Sequence, residues 1–206
     1  MICKGERTMR KIWISAVMCL LVAGSAYAGE AAKMKDTFSV IHSRKSVRTF
    51  TGAEVGKGNL ETILKAGMAA PTAVNMQPWS FVVVTDRKTL DGLAAGLPYA
   101  KMLTRAGAAI IVCTETAKAY DKMKEFAIID ASLAGENILL AVEALGLGGV
   151  WTAAYPYDDR MGHVRKTLGI PPEVIPLNVI AIGVPAPGGE KAKDKFKREK
   201  IHWETW

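Results

Sequence analysis

The sequence lacks the side-chain sets on which most hydrolytic and metal-dependent catalysis rests. It has no His-Glu-x-x-His, no Cys-x-x-Cys, no Gly-x-Ser-x-Gly and no phosphate loop ending in Gly-Lys-Ser/Thr. Its three histidines, His42, His163 and His202, are far apart, and no two share metal-ligand spacing. No metal site is expected. A dinucleotide-type Gly-x-Gly-x-x-Gly is absent too, because Gly146-Leu147-Gly148-Gly149 follows a helical stretch and reads as a helix stop. There is no heptad pattern, no fixed-period repeat and no low-complexity tract. Basic residues are not interleaved with aromatics in a stripe, which argues against nucleic acid as a partner.

Cysteine is scarce. Only Cys3, Cys19 and Cys113 occur. Cys113 lies in Ala-Ala-Ile-Ile-Val-Cys, a run that reads as a buried strand, so a small core residue is expected there and not a nucleophile. Charge is moderate: 23% of the 206 residues are charged and half are hydrophobic, which excludes disorder by composition. The formal net charge is +7. Lys4, Arg7, Arg10 and Lys11 against Glu6 hold +3 of it, leaving +4 for the rest. That excess is compatible with a phosphate-bearing ligand.

The N-terminus reads as a leader. Arg10 and Lys11 are followed by an uncharged apolar run over residues 12–24, then by Ser25-Ala26-Tyr27-Ala28, a small-x-small cleavage pattern. Residues 1–28 are expected to be a signal peptide and residues 29–206 the mature domain. Met9 is an alternative start, which would make residues 1–8 an upstream extension. Cleavage would leave Cys113 as the one cysteine and would place the protein in a periplasm or outside the cell. A membrane-anchored or cytoplasmic protein is the alternative, although the run is short for a span of about 20 residues.

The rest of the chain alternates helices and strands irregularly. A short amphipathic helix is predicted over Thr37–Ser43, followed by the basic turn Arg44-Lys45-Ser46-Val47-Arg48. Asn59 is expected to cap a helix that Pro71 stops. Strands are predicted over residues 79–85, 108–114 and 150–154, and a fourth of parallel-sheet character over 175–184. Asp86 should cap a short helix through Leu93, and another helix is expected over Asp158–Leu168. A long helix over 120–145 is apolar nearly all round from Phe126, so it should be buried on several sides. Its polar residues Asp130, Glu136, Asn137 and Glu143 then need partners. The class is α+β, a small mixed sheet flanked by helices. So apolar a helix hints at a dimer.

Two segments can carry ligand chemistry. Arg44, Lys45, Ser46 and Arg48 put three cations and a hydroxyl within five residues, a set that can grip a phosphate or simply be a solvated basic turn. Ala70-Pro71-Thr72-Ala73-Val74-Asn75-Met76-Gln77-Pro78-Trp79 is a proline-bounded loop. The Asn75 and Gln77 amides could match the donors and acceptors of a flavin edge, or make a polar turn.

Taken together the segments resemble the nitroreductase family. Its Arg-Arg-Ser-x-Arg-x-Phe motif stands here as Arg44-Lys45-Ser46-Val47-Arg48-Thr49-Phe50. Its Ala-Pro-Ser/Thr-x-x-Asn-x-Gln-Pro-Trp motif stands at Ala70 to Trp79, and its Gly-Leu-Gly-x-x-Trp motif at Gly146 to Trp151. Gly183-Val184-Pro185 and a basic tail complete the pattern over about residues 38–206. The resemblance implies an intertwined homodimer with FMN at the interface, residues 29–206 being the FMN-binding domain. Arg44, Lys45, Ser46 and Arg48 would hold the phosphate and the pyrimidine side. Pro71, Thr72, Ala73, Asn75 and Gln77 would come from the partner subunit, and Thr152, Ala153 and Ala154 would lie near the ring. Lys195 would complete the phosphate site. The long helix would be the dimer seam.

The implied activity is FMN-dependent reduction of nitroaromatic, quinone or similar acceptors. The donor would be NAD(P)H or another redox partner, with ping-pong kinetics and no dedicated catalytic side chain. An exported flavin-binding protein without turnover, or another flavin chemistry, is the alternative. Two departures stand out: Lys45 replaces the second Arg, and Ala153-Ala154-Tyr155 stands where several bacterial members carry a Glu.

Overall fold

Residues 36–206 are described by a computed structural model; the expected leader lies outside them. The elements in chain order are α1 (Thr37–Ser43), α2 (Lys57–Met68), β1 (Trp79–Val84), α3 (Arg87–Gly96), β2 (Ala108–Glu115), α4 (Lys124–Ala144), β3 (Gly148–Ala153), α5 (Asp158–Leu168) and β4 (Val174–Gly183). Short 3₁₀ turns punctuate the connections.

Local chemistry explains most boundaries. Asp36 caps α1 by accepting from the Ser39 amide, and Asp86 caps α3 by accepting from the Thr89 amide at 2.8 Å. Asp158 and Asp159 sit in the first turn of α5, with Arg165 and Lys166 in the last, each complementing the helix dipole. Gly169 ends α5 at φ +66, a left-handed cap that glycine adopts without a Cβ clash. α2 starts at Lys57 with Gly56 as its cap, three residues before the predicted cap at Asn59.

The four strands run in the order β1-β2-β4-β3, and all three pairings are antiparallel. This corrects the expected mixed sheet and the parallel character read into the fourth strand. β4 is apolar on both faces except at buried Asn178, because helices cover both faces, and it pairs antiparallel to both neighbours. The one parallel contact among the described residues is an isolated bridge from Ser46, in the basic turn, to Gly149 of β3.

Strand alternation divides the core into two layers. Ala109, Ile111 and Cys113 of β2, with Val179 and Ala181 of β4, pack with Leu90 and Leu93 of α3 and Val164 of α5. Ala108, Ile110 and Val112, with Ile180 and Ile182, pack with Leu60 and Ile63 of α2 and Ala131 and Ile138 of α4.

α4 carries the site residues and lies close on the sheet. A Cβ at Gly135 would stand 2.5 Å from Trp151 Cζ3 and 3.3 Å from Asn178 Nδ2. Glycine therefore sets how deeply α4 sits on β3 and β4. The opposite side of α4 leaves Ile129 and Leu133 exposed, and beyond β4 the tail leaves Phe196, Trp203 and Trp206 exposed.

Gly135→Val should therefore force α4 off the sheet and destabilise the protein by about 1–3 kcal/mol, the usual range for overpacking. An unchanged urea midpoint would contradict the close approach.

Candidate functional site

Each polar side chain of α4 that the sequence singled out meets a partner, and those partners assemble the candidate site. Near the start of the helix, buried Asp130 accepts from the Ala73 amide at 3.1 Å, pinning the proline-bounded loop. Two turns on, Asn137 donates to the Ala66 carbonyl at 3.0 Å, holding the end of α2 that leads into that loop. Glu136 faces Arg44, with the carboxylate 3.1 Å from Nε. Glu143 is buried; it accepts from the Ser43 hydroxyl at 2.7 Å and lies 3.7 Å from Lys45 Nζ.

The basic turn is thus laid along the C-terminal half of α4. Its other side is fixed to the sheet by Val47, whose amide donates to the Gly149 carbonyl at 3.0 Å. Gly148 and Gly149 belong to β3 and are more than a helix stop. A Cβ at Gly148 would meet the Val47 side chain at 2.7 Å, so glycine lets the turn close on the strand. The Arg48 amide donates to Glu190 Oε1 at 2.8 Å, which ties the turn to the start of the tail.

These ties create a cavity of about 620 Å³ lined by Ile41, His42, Arg44, Glu136 and tail residues 192–196. Of the residues expected to bind a ligand, Arg44 and Lys195 are brought together there, 151 positions apart in sequence. Lys193 joins them. Lys45 is on the same turn but paired with Glu143, and the Arg48 guanidinium reaches back toward the Ser46 carbonyl at 3.5 Å.

The loop of Pro71, Thr72, Ala73, Asn75 and Gln77 does not line this cavity. It forms a 3₁₀ turn, Ala73–Asn75, with Val74, Asn75 and Gln77 at φ +43, +60 and +52. Asn tolerates that region; β-branched Val does not, so the loop is held in a costly shape by its surroundings. The Gln77 amide donates to Asn75 Oδ1 at 3.0 Å, and the Gln77 backbone donates to the Thr72 hydroxyl.

Thr152 and Ala153 end β3, with Ala154 just past it. Thr152 and Ala154 are buried, and the Ala154 amide donates to the Leu177 carbonyl. Arg160 lies over the Tyr157 ring, 3.7 Å from the centroid, and reaches the Ala153 carbonyl at 3.5 Å.

Comparison with known proteins then fixes the lineage. The Nitroreductase family model matches residues 41–97 and 93–184. The chain belongs to the nitroreductase family. A relative from Methanothermobacter thermautotrophicus, named as a candidate NADH dehydrogenase/NAD(P)H nitroreductase, is 41% identical over 180 residues, covering 86% of this chain and 91% of its own. A solved structure from Bacteroides thetaiotaomicron, with the same candidate name, superposes with TM-score 0.78 at 48% identity, covering 82% of this chain and 98% of that one. An FMN-dependent nitroreductase from Clostridium difficile superposes with TM-score 0.75 at 26% identity, covering 82% and 99%. Membership makes the chain a nitroreductase-family oxidoreductase and explains why its motifs, distant in sequence, converge on α4.

Sequence reasoning missed Ser43, Glu190 and the role of Glu136. A signal for Glu136 and Glu143 was present: seven residues apart on a helix, they share one face, and cations at 44 and 45 could answer both.

Cys113 serves none of this. Burial in the sheet pushes its thiol up to about 12, with Arg165 opposing only in part. In the unfolded chain the thiol ionises near its ordinary 9.0, so the burial preference is fully present below pH 9 and is lost as pH rises toward 12. The stability difference between wild type and Cys113→Ala should therefore shrink by about 1.4 kcal/mol between pH 8 and pH 10 in urea titrations. A constant difference would show the thiol to be accessible.

Proposed function

We propose that this protein binds FMN and uses it to reduce nitroaromatic, quinone or similar acceptors with electrons from NAD(P)H. The observation that carries this reading is the convergence of Arg44 and Lys195 in one cavity of a nitroreductase-family chain. The donor set fits a phosphomonoester: a guanidinium fork, two ammonium groups from Lys193 and Lys195, and the Ser46 hydroxyl on the adjoining turn. The Clostridium difficile relative is FMN-dependent by name.

Arg44, Ser46 and Lys195 would hold the phosphate, and Arg48 would serve the pyrimidine side. Asn75 and Gln77 carry amides suited to a ring edge. The cavity that holds Arg44 has no residue of their loop in its lining. A second copy contributing its loop would complete the site. Exposed Ile129 and Leu133 on α4, with Phe196 and Trp203 in the tail, offer apolar surface for that copy to cover. The proposal is accordingly a homodimer with a shared site.

When bound, FMN supplies the hydride and electron chemistry, so the protein needs no acid or base of its own. The chain's work is to fix the phosphate and present the ring. Donor and acceptor would take turns in one place, which gives ping-pong kinetics. Residues 1–28 are proposed as a cleaved leader, with the mature protein starting at Gly29 in a periplasm or outside the cell. In that setting a redox protein could replace NAD(P)H as donor.

Purified protein should show a flavin absorbance spectrum that bleaches on anaerobic addition of NADH or NADPH. A spectrum that persists would favour a flavin carrier or a different donor, and no flavin after addition of FMN would sink the reading. Arg44→Ala should weaken FMN binding roughly 10- to 100-fold, the range for losing a charged hydrogen-bond partner, as read by retention on dialysis. Tight retention would remove Arg44 from the phosphate clamp. Size-exclusion with light scattering should give a dimer; a flavin-loaded monomer would contradict the shared site.

A further inference from the structure

The proposed phosphate clamp already contains an anion. Glu136 places a carboxylate oxygen 3.1 Å from Arg44 Nε, inside the same cavity that Lys193 and Lys195 line. Arg44 is mostly covered, its side chain 19% exposed, whereas that of Glu136 is 51% exposed. The guanidinium is therefore the fixed member of the pair and the carboxylate the one with room to leave. The cavity's other acid, Asp194, is turned toward its own segment, accepting from the Phe196 amide at 2.9 Å. Glu136 is thus the acid set directly on the clamp's fork.

We propose that Glu136 is a built-in competitor for the ligand's phosphate, holding Arg44 when the clamp is empty and opposing the phosphate dianion when it is filled. The inference rests on the FMN reading and deepens it by assigning this chain's phosphate affinity to a residue outside the binding motifs. Two effects follow from one contact. In the empty protein the carboxylate neutralises a mostly covered guanidinium, which would otherwise stand among like charges from Lys193 and Lys195. In the loaded protein a monoanion and a dianion share one guanidinium, and the repulsion between them weakens binding of the phosphorylated ligand alone. A ligand with the same ring and ribityl chain but no phosphate does not feel it.

The location of Glu136 supports this role over simple bracing of the turn. Bracing is already supplied two helical turns away, where buried Glu143 takes Ser43 and Lys45, and on the other side by the Val47 amide on Gly149. Glu136 adds little to that framework. Its ion pair with Arg44 runs through Nε, and both residues line the cavity.

The test compares FMN with riboflavin on wild type and Glu136→Gln, by quenching of flavin fluorescence on titration with apoprotein. Gln keeps the shape and removes the charge. The variant is expected to bind FMN about three- to fivefold more tightly, the upper part of the range for one half-exposed charge beside a charged partner, with riboflavin binding changed less than about twofold. Inorganic phosphate should also compete more effectively against FMN on the variant. FMN binding that is unchanged or weaker in the variant, or a shift shared equally by riboflavin, overturns the inference while leaving the FMN reading intact. Wild type that binds neither flavin overturns both.

Discussion

A carboxylate buried against a helix costs several kcal/mol unless a donor or a cation answers it, and on α4 this requirement is met by the segments that make the candidate site. Buried Glu143 takes Ser43 and Lys45 and buried Asp130 takes the amide of Ala73, while half-exposed Glu136 meets Arg44 between them. From Asp130 to Glu143 the contacts span about three and a half helical turns, or roughly 20 Å of helix axis. Without the two buried acids, Lys45 and the Ala73 amide would lose their partners on the helix. The helix is thus less a piece of core than a ruler on which the ligand-facing segments are placed.

The sheet supplies the rigidity the ruler needs. β2 and β4 are central and covered on both faces, and glycine at position 135 lets α4 rest directly on the Trp151 ring. Val47 then closes on Gly148 and Gly149, so the basic turn is gripped by helix on one side and strand on the other. A cation cluster held in this way loses little further freedom on meeting an anion, which favours binding without new contacts.

Much of this was legible in the sequence. Thr37–Ser43 and Asp158–Leu168 were readable to the residue, and the structure shows their ends set by local chemistry, Asp36 capping the first and Gly169 closing the second. The need of α4's polar residues for partners was also readable, since a stretch apolar nearly all round points to a helix covered on several sides. Strand direction was not. An apolar run such as β4 records only that both faces are buried, and antiparallel strands between two helical layers satisfy that as well as parallel ones do. Gly148 and Gly149 misled for a related reason: glycine after a helix signals a stop, yet here it answers a close approach by Val47, a residue a hundred positions earlier. The meeting of Arg44 with Lys195 had no local signal. The expectation came from family likeness, and the structure places both residues on one cavity.

The uncovered tail bears on how the protein exists in a cell. Trp206 is fully exposed and Trp203 and Phe196 nearly so, while Ile129 and Leu133 stand open on α4. If a second copy covers these groups, folding and association become one equilibrium governed by mass action. Abundance would then act as a stabilising agent in its own right: a dilute pool of chains would melt earlier, and be cleared by proteases sooner, than a concentrated one of identical sequence.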